Sequence, residues 1–273
     1  MQQSVIPSRA SSSTKAAIRS CWSTPEPYPG FPGAGRVATV RCLPPLVLLH
    51  GFAGAPRHWR GVLDALGERF EAHPLELARA VPLTPDGVAA LVAGAAPGRF
   101  VLAGYSMGGR LALHAALAMP ERVERLVLVS ASAGISDGFE RASRAAADEE
   151  LATQIERAPI EEFVARWAAV PLFADDPPWL REEVAAEQCD CDPAVLAACL
   201  RSLGAGAMAP VWDRLGELAM DVAVLAGERD SRYVALGRRL AAALPRAELT
   251  VVAGAGHRLA LEAPAAVAAA ICG

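Results

Sequence analysis

Ser106 sits between Gly104 and Gly108 in GYSMG, a G-x-S-x-G spacing that follows the apolar run RFVLAGY and opens a helical run, GGRLALHAALAM. A chain that turns this sharply from strand to helix leaves no room for side chains at the flanking positions and exposes the serine hydroxyl at the helix N-terminus. Alone, a serine hydroxyl is a weak nucleophile or base; a histidine must take its proton and a carboxylate must orient that histidine. Both follow downstream, Asp230 in LAGERDSRY and His257 in VAGAGHRLALEAP, each just past a strand-like run and so on the same sheet edge as Ser106. Glu228 is the competing acid, but Asp230 begins the following helix and is preferred. Upstream, LLHGFAG forms a His-Gly turn whose Phe52 amide, with that of Met107, makes a candidate oxyanion hole. One such donor is typically worth roughly 3–4 kcal/mol in a transition state. His50 is read as bracing that turn, and His58, His73 and His114 as structural.

Arg110 follows Ser106 by four residues, one helical turn along the same face. A neutral ester has no use for a buried cation there. A substrate with several carboxylates does, because each guanidinium–carboxylate pair makes bidentate, charge-assisted hydrogen bonds. On position alone a solvated helix charge remains the alternative.

The elements that must hold these groups alternate in type. Strand-like runs occupy 36–42, 46–50, 69–75, 99–105, 123–131, 221–227 and 248–254, with helix-length segments between most of them, which argues for parallel βαβ construction. Four of the runs are nearly continuous Val, Leu and Ala, as strands buried on both faces should be. Residues 136–220 break the pattern: FERASRAAADEELATQIE, IEEFVARWAAV, PPWLREEVAAEQ and PAVLAACLRSLGAG read as four helices, a cap over the carboxyl edge where open α/β sheets bind ligands. The expected organisation is a core of 36–135 and 221–273, a helical lid of 136–220, and a tail of 1–35. That tail is rich in Ser, Pro and Gly and is read as a disordered extension or as sequence upstream of the true start, with a transit peptide as the alternative.

Composition excludes several classes. No apolar run approaches the roughly 20 residues needed to span a bilayer. A net charge of -4 gives no basic footprint for nucleic acid. The six cysteines are scattered, and the lone C-x-C of Cys189 and Cys191 is a poor zinc signature, so reduced thiols in a cytoplasmic protein are expected and no metal or organic cofactor is called for. A monomer or weak homo-oligomer acting on a small anionic substrate is expected.

From about residue 45 onward the chain resembles the α/β-hydrolases, and within them the 2-succinyl-6-hydroxy-2,4-cyclohexadiene-1-carboxylate synthases, pyruvate-eliminating lyases of menaquinone biosynthesis. The resembling pieces are LLHGFAGAPRHW, GYSMGGRLAL, SASAGI, ERASRAAAD, FVARWAAVPLF and GERDSRY. The resemblance implies an α/β-hydrolase fold, a mostly parallel sheet with helices on both faces and a helical cap. It also implies that Arg110 and Arg144 gather substrate carboxylates, that Trp167 belongs to the pocket, and that Arg232 is the basic position beside the catalytic acid. With Phe52, Tyr105 and Met107 around the turn, these are the candidate substrate-binding residues. There are departures: a further lid arginine of the family aligns with Gln188, the aromatic after the tryptophan is Ala168, and AHPLELARAVPLTPDG replaces a D-x-P-G-x-G loop. Arg181 is a candidate to compensate.

The expected reaction is elimination, with Ser106 made basic by Asp230 and His257. A carboxylester or thioester hydrolase acting through an acyl-serine needs the same three residues and is the alternative; a non-catalytic ligand-binding member of the fold is a third.

Overall fold

The computed structural model describes residues 43–273. The expected tail at 1–35, the strand at 36–42, Cys21 and Cys42 lie outside them. Among the described residues six strands form one parallel sheet: β1 (Pro45–Leu49), β2 (Glu71–Leu75), β3 (Phe100–Tyr105), β4 (Val123–Val129), β5 (Asp221–Gly227) and β6 (Ala247–Val252), in the order β2-β1-β3-β4-β5-β6. The chain steps outward from β1 to β2 and then reverses to β3, so the topological switch point, where such sheets bind ligands, lies between β1 and β3. The inner strands β1, β3, β4 and β5 are almost wholly buried, whereas β2 and β6 are half-exposed edges, and β2 carries Pro74, which an edge strand tolerates.

Alternate residues of the inner strands feed two cores. Val47, Leu49, Leu102, Leu126 and Leu128 face helices α2 (Pro85–Ala95) and α3 (Met107–Ala118), while Leu46, Leu48, Ala103, Val127 and Leu225 face α1 (Arg60–Leu66) on the other side. The two-residue strand period makes this division, and it explains why these strands are apolar throughout.

Between β4 and β5 run four helices, α4 (Gly138–Arg157), α5 (Ile160–Ala168), α6 (Pro178–Cys189) and α7 (Pro193–Leu203). Asp137 caps α4 by accepting from Glu140 N at 2.7 Å, and Asp192 caps α7 by accepting from Ala194 N at 2.9 Å. Ala152, Ile155, Phe163, Val164, Leu196 and Leu200 give these helices a small core of their own, which takes in Ala53 and touches Phe52 from the loop after β1. After β5 the chain forms α8 (Ser231–Ala243) and, beyond β6, the short α9 (Leu259–Glu262) and α10 (Pro264–Cys272), which packs beside α1. No described helix is long and apolar enough to cross a membrane.

The first turn of α3 touches the end of β1 backbone to backbone: a Cβ on Gly108 would sit 2.2 Å from Leu49 O, and one on Gly104 would sit 2.3 Å from Gly108 O. Gly108→Ala should therefore cost about 2–3 kcal/mol or more in thermal unfolding. Gly94→Ala, in α2 with nothing within 4 Å of the new methyl, should instead gain about 0.5–1 kcal/mol.

Candidate active site

The turn between β3 and α3 holds Ser106 at φ 54° and ψ -111°, a left-handed conformation that costs a non-glycine residue about 1–3 kcal/mol. The surroundings enforce it. Ser106 N donates to Val129 O at 2.9 Å and Ser106 O accepts from Gly109 N at 3.0 Å, so the residue is tied to β4 and to its own helix.

Asp230 and His257 reach it from the two neighbouring strand ends. His257 Nδ1 lies 2.7 Å from Asp230 Oδ2, and His257 Nε2 lies 3.1 Å from Ser106 Oγ. With Asp230 accepting from Nδ1–H, Nε2 is free to accept the serine proton. The other Asp230 oxygen accepts from Tyr233 N at 3.1 Å, so the residue that orients the imidazole also caps α8. Glu228 is exposed and accepts from Gly254 N at 2.8 Å; it takes no part in the constellation. Glu262, which no sequence pattern singled out, accepts from Gly256 N at 2.8 Å and from Arg258 N at 3.1 Å, clamping the loop on both sides of His257. Burial pushes the His257 pKa below the usual imidazole range, with the hydrogen bond and charge of Asp230 opposing it.

The amides of Phe52 and Met107 find no acceptor among the described residues, as donors reserved for a ligand would not. His50 supports the loop that carries Phe52: its Nδ1 lies 2.8 Å from Gly51 O and its Nε2 3.3 Å from Leu77 N and from Glu76 Oε1. His58 is buried and pairs with Glu187 of α6.

Ser106, Asp230 and His257 open into a cavity of about 630 Å³, and Phe52, Tyr105, Met107, Arg110, Arg144, Trp167 and Arg232 all line it. Arg110 is 8% exposed, donates to Leu203 O at 3.3 Å, and leaves its Nε without a partner among the described residues; burial pulls its pKa down. Arg144 donates through Nε to Asp148 at 2.8 Å, an i, i+4 partner that no sequence motif marks. Arg232 is exposed at the cavity rim. Trp167 stands in an aromatic chain, with ring centroids 5.2 Å from Phe52 and 5.6 Å from Phe173, whose own ring is 5.8 Å from His257; the Trp167 Nε1 is buried and unpartnered among the described residues. Burial pushes the Tyr105 hydroxyl well up, which keeps it a phenol. Tyr233, Phe173, Arg229 and Arg258 also line the cavity and were missed. Neither Gln188 nor Arg181 does: Gln188 is buried with its Nε2 3.5 Å from Ala53 O, and Arg181 donates to Ala174 O at 2.7 Å.

A serine that hands its proton to His257 reacts only while that imidazole is neutral, so such reactivity would be present above the His257 pKa and lost as the pH falls through it. Labelling of Ser106 by an alkyl fluorophosphonate, followed by mass spectrometry, should hold its rate from neutral pH down through the usual imidazole range and decline only below it. In Asp230→Asn the plateau should fall by about 10²-fold or more, and the decline should move to still lower pH, since the carboxylate that supported the imidazolium is gone.

The chain matches the alpha/beta hydrolase family over residues 46–270. It is 31% identical over 253 residues, 88% of this chain and 93% of the relative, to the 2-succinyl-6-hydroxy-2,4-cyclohexadiene-1-carboxylate synthase of Salmonella agona. It is 32% identical over 239 residues, 83% of this chain and 91% of the relative, to the Klebsiella pneumoniae protein of the same name. Among solved structures it is similar to MenH from S. aureus, with a TM-score of 0.77 and 25% identity over 84% of this chain and 92% of that one. The chain belongs to the alpha/beta hydrolase family and is an enzyme of that fold.

Proposed function

We propose that the enzyme is a carbon–oxygen lyase of menaquinone biosynthesis that eliminates pyruvate from 2-succinyl-5-enolpyruvyl-6-hydroxy-3-cyclohexene-1-carboxylate, giving 2-succinyl-6-hydroxy-2,4-cyclohexadiene-1-carboxylate. The observation that carries this reading is Arg110, a buried guanidinium one helical turn from Ser106, with an unpartnered Nε and no ion pair among the described residues. Leaving a buried charge unpaired costs about 3–5 kcal/mol, a cost that a substrate carboxylate would offset. An ester hydrolase acting on neutral acyl groups has no such counter-charge to offer. The names of the Salmonella and Klebsiella relatives support the same reading.

In this mechanism Asp230 fixes the His257 tautomer, His257 takes the Ser106 proton, and Ser106 Oγ removes a proton from the substrate ring. The electron pair of that C–H bond moves into the conjugated system, and the C–O bond to the enolpyruvyl group breaks. Pyruvate leaves as its enolate and recovers a proton from the imidazolium, which returns the triad to its starting state. The Phe52 and Met107 amides face the charge that develops on the way. Arg110, Arg144 and Arg232 hold carboxylates, and Trp167 forms part of the wall. Closure of the helical insertion as a lid keeps water from screening these charges.

Given the freshly prepared cyclohexene substrate, the purified enzyme should release pyruvate well above the spontaneous rate. Ser106→Ala should lower kcat by about 10⁴-fold or to background. Arg110→Gln should raise KM by about 10- to 100-fold. No pyruvate release, together with hydrolysis of a short acyl ester that Ser106→Ala abolishes and Arg110→Gln spares, would overturn the reading in favour of an acyl-serine hydrolase.

A further inference from the structure

Among the described residues five arginines line the cavity, and their partners sort them by use. Arg229 is committed to structure, donating to Asp175 O at 2.6 Å and to Glu262 Oε2 at 2.5 Å. Arg110 and Arg232 form no ion pair among the described residues, and Arg144 is held through Nε by Asp148. Arg258 is held in the same way as Arg144: its Nε donates to Asp176 Oδ2 at 2.7 Å, and no acceptor among the described residues takes its terminal nitrogens. Its guanidinium carbon lies 3.9 Å from the centroid of Phe173, so the planar group is fixed by a stacked ring and by a carboxylate at one edge.

Such an arginine has little freedom left to lose, and its remaining edge, with two terminal nitrogens, matches a carboxylate in bidentate fashion. It is only 6% exposed, yet it lines the cavity and follows His257 directly, so the surface it retains belongs to the site. Neither Gln188 nor Arg181 brings a cation to the cavity. We propose that Arg258, oriented by Asp176 and stacked on Phe173, binds a carboxylate of the substrate as a further cationic contact besides Arg110, Arg144 and Arg232.

This inference rests on the reading of the substrate as a polycarboxylate. It differs from a purely mechanical role in which the Arg258–Asp176 pair only ties the helical insertion to the His257 loop.

The test compares Arg258→Gln, Asp176→Asn and the double variant Arg258→Gln/Asp176→Asn, in which a neutral amide pair replaces the ions should the single Arg258 variant fail to fold. Steady-state pyruvate release gives kcat and KM, and calorimetric titration with pyruvate and with succinate measures binding of the substrate's carboxylate fragments. Arg258→Gln and the double variant should raise KM and weaken binding of at least one fragment by about 10- to 100-fold, with kcat within a few-fold of the parent. Asp176→Asn should keep or strengthen fragment binding, because the competing anion is gone. Equal losses of thermal stability and kcat in both single variants, with fragment binding unchanged, would reduce Arg258 to a clasp and overturn the proposal. If the parent enzyme binds a fragment through Arg258 yet releases no pyruvate, the carboxylate site stands and the proposed reaction falls. Pyruvate release with a KM indifferent to the double variant removes the site and leaves the reaction standing.

Discussion

Where β3 hands over to α3, three pieces of backbone meet with no side chain between them. Gly104 lies against Gly108 O, and Gly108 lies against Leu49 O. This approach sets the first turn of α3 directly over the end of β1, forces Ser106 into its left-handed conformation, and brings the Met107 amide to the cavity that the loop after β1 also lines. A single methyl group in that contact would separate the strand from the helix. The strain at Ser106 persists because Val129 O and the α3 backbone hold the residue from both sides.

Charge in the cavity is distributed with the same economy. Carboxylates hold Arg144, Arg229 and Arg258, while Arg110 has only a carbonyl and an orphaned Nε. In a site of low dielectric a partly satisfied guanidinium favours an incoming acceptor, most strongly an anion. Asp230 lies in the same cavity, with one oxygen bonded to His257 and the other to the Tyr233 amide, and it pairs with none of these arginines. One edge of the sheet thus carries both the hydrogen-bonded Ser106, His257 and Asp230 and the cations.

The helical insertion contributes more than a cover. Its Trp167 and Phe173 complete an aromatic chain from Phe52 to His257, and its Glu187 and Gln188 grip the loop after β1 through His58 and Ala53. The parts of the site on the sheet and the parts on the insertion therefore share contacts at both ends of the cavity. Movement of the insertion would be felt at the candidate oxyanion donors and at the imidazole together.

The α/β architecture was legible in the sequence because strands buried on both faces must be apolar throughout, as LVLL and VLAG are, and because G-x-S-x-G fell where such a run gave way to a helical one. Asp230 and His257 could be singled out because each lies a few residues past the end of a strand-like run, β5 and β6, which puts both at the same sheet edge as Ser106 before any contact is known. The edge strands β2 and β6 were recognised although β2 has no fully buried residue and half of the β6 residues are exposed. What the sequence could not supply was the pairing of charges across long separations. Asp148 under Arg144 is a local i, i+4 pair hidden among other acids of α4, while Asp176 and Arg258 are 82 residues apart and become partners only when the insertion folds back over the His257 loop. Gln188, aligned by resemblance with a pocket arginine, turns away to Ala53 O, and Glu262 reveals its role only where two backbone amides converge on it. Residue type and spacing along a strand or helix determine which chemistry is available; which ions neutralise each other and which remain for a ligand depends on distances that tertiary packing alone creates.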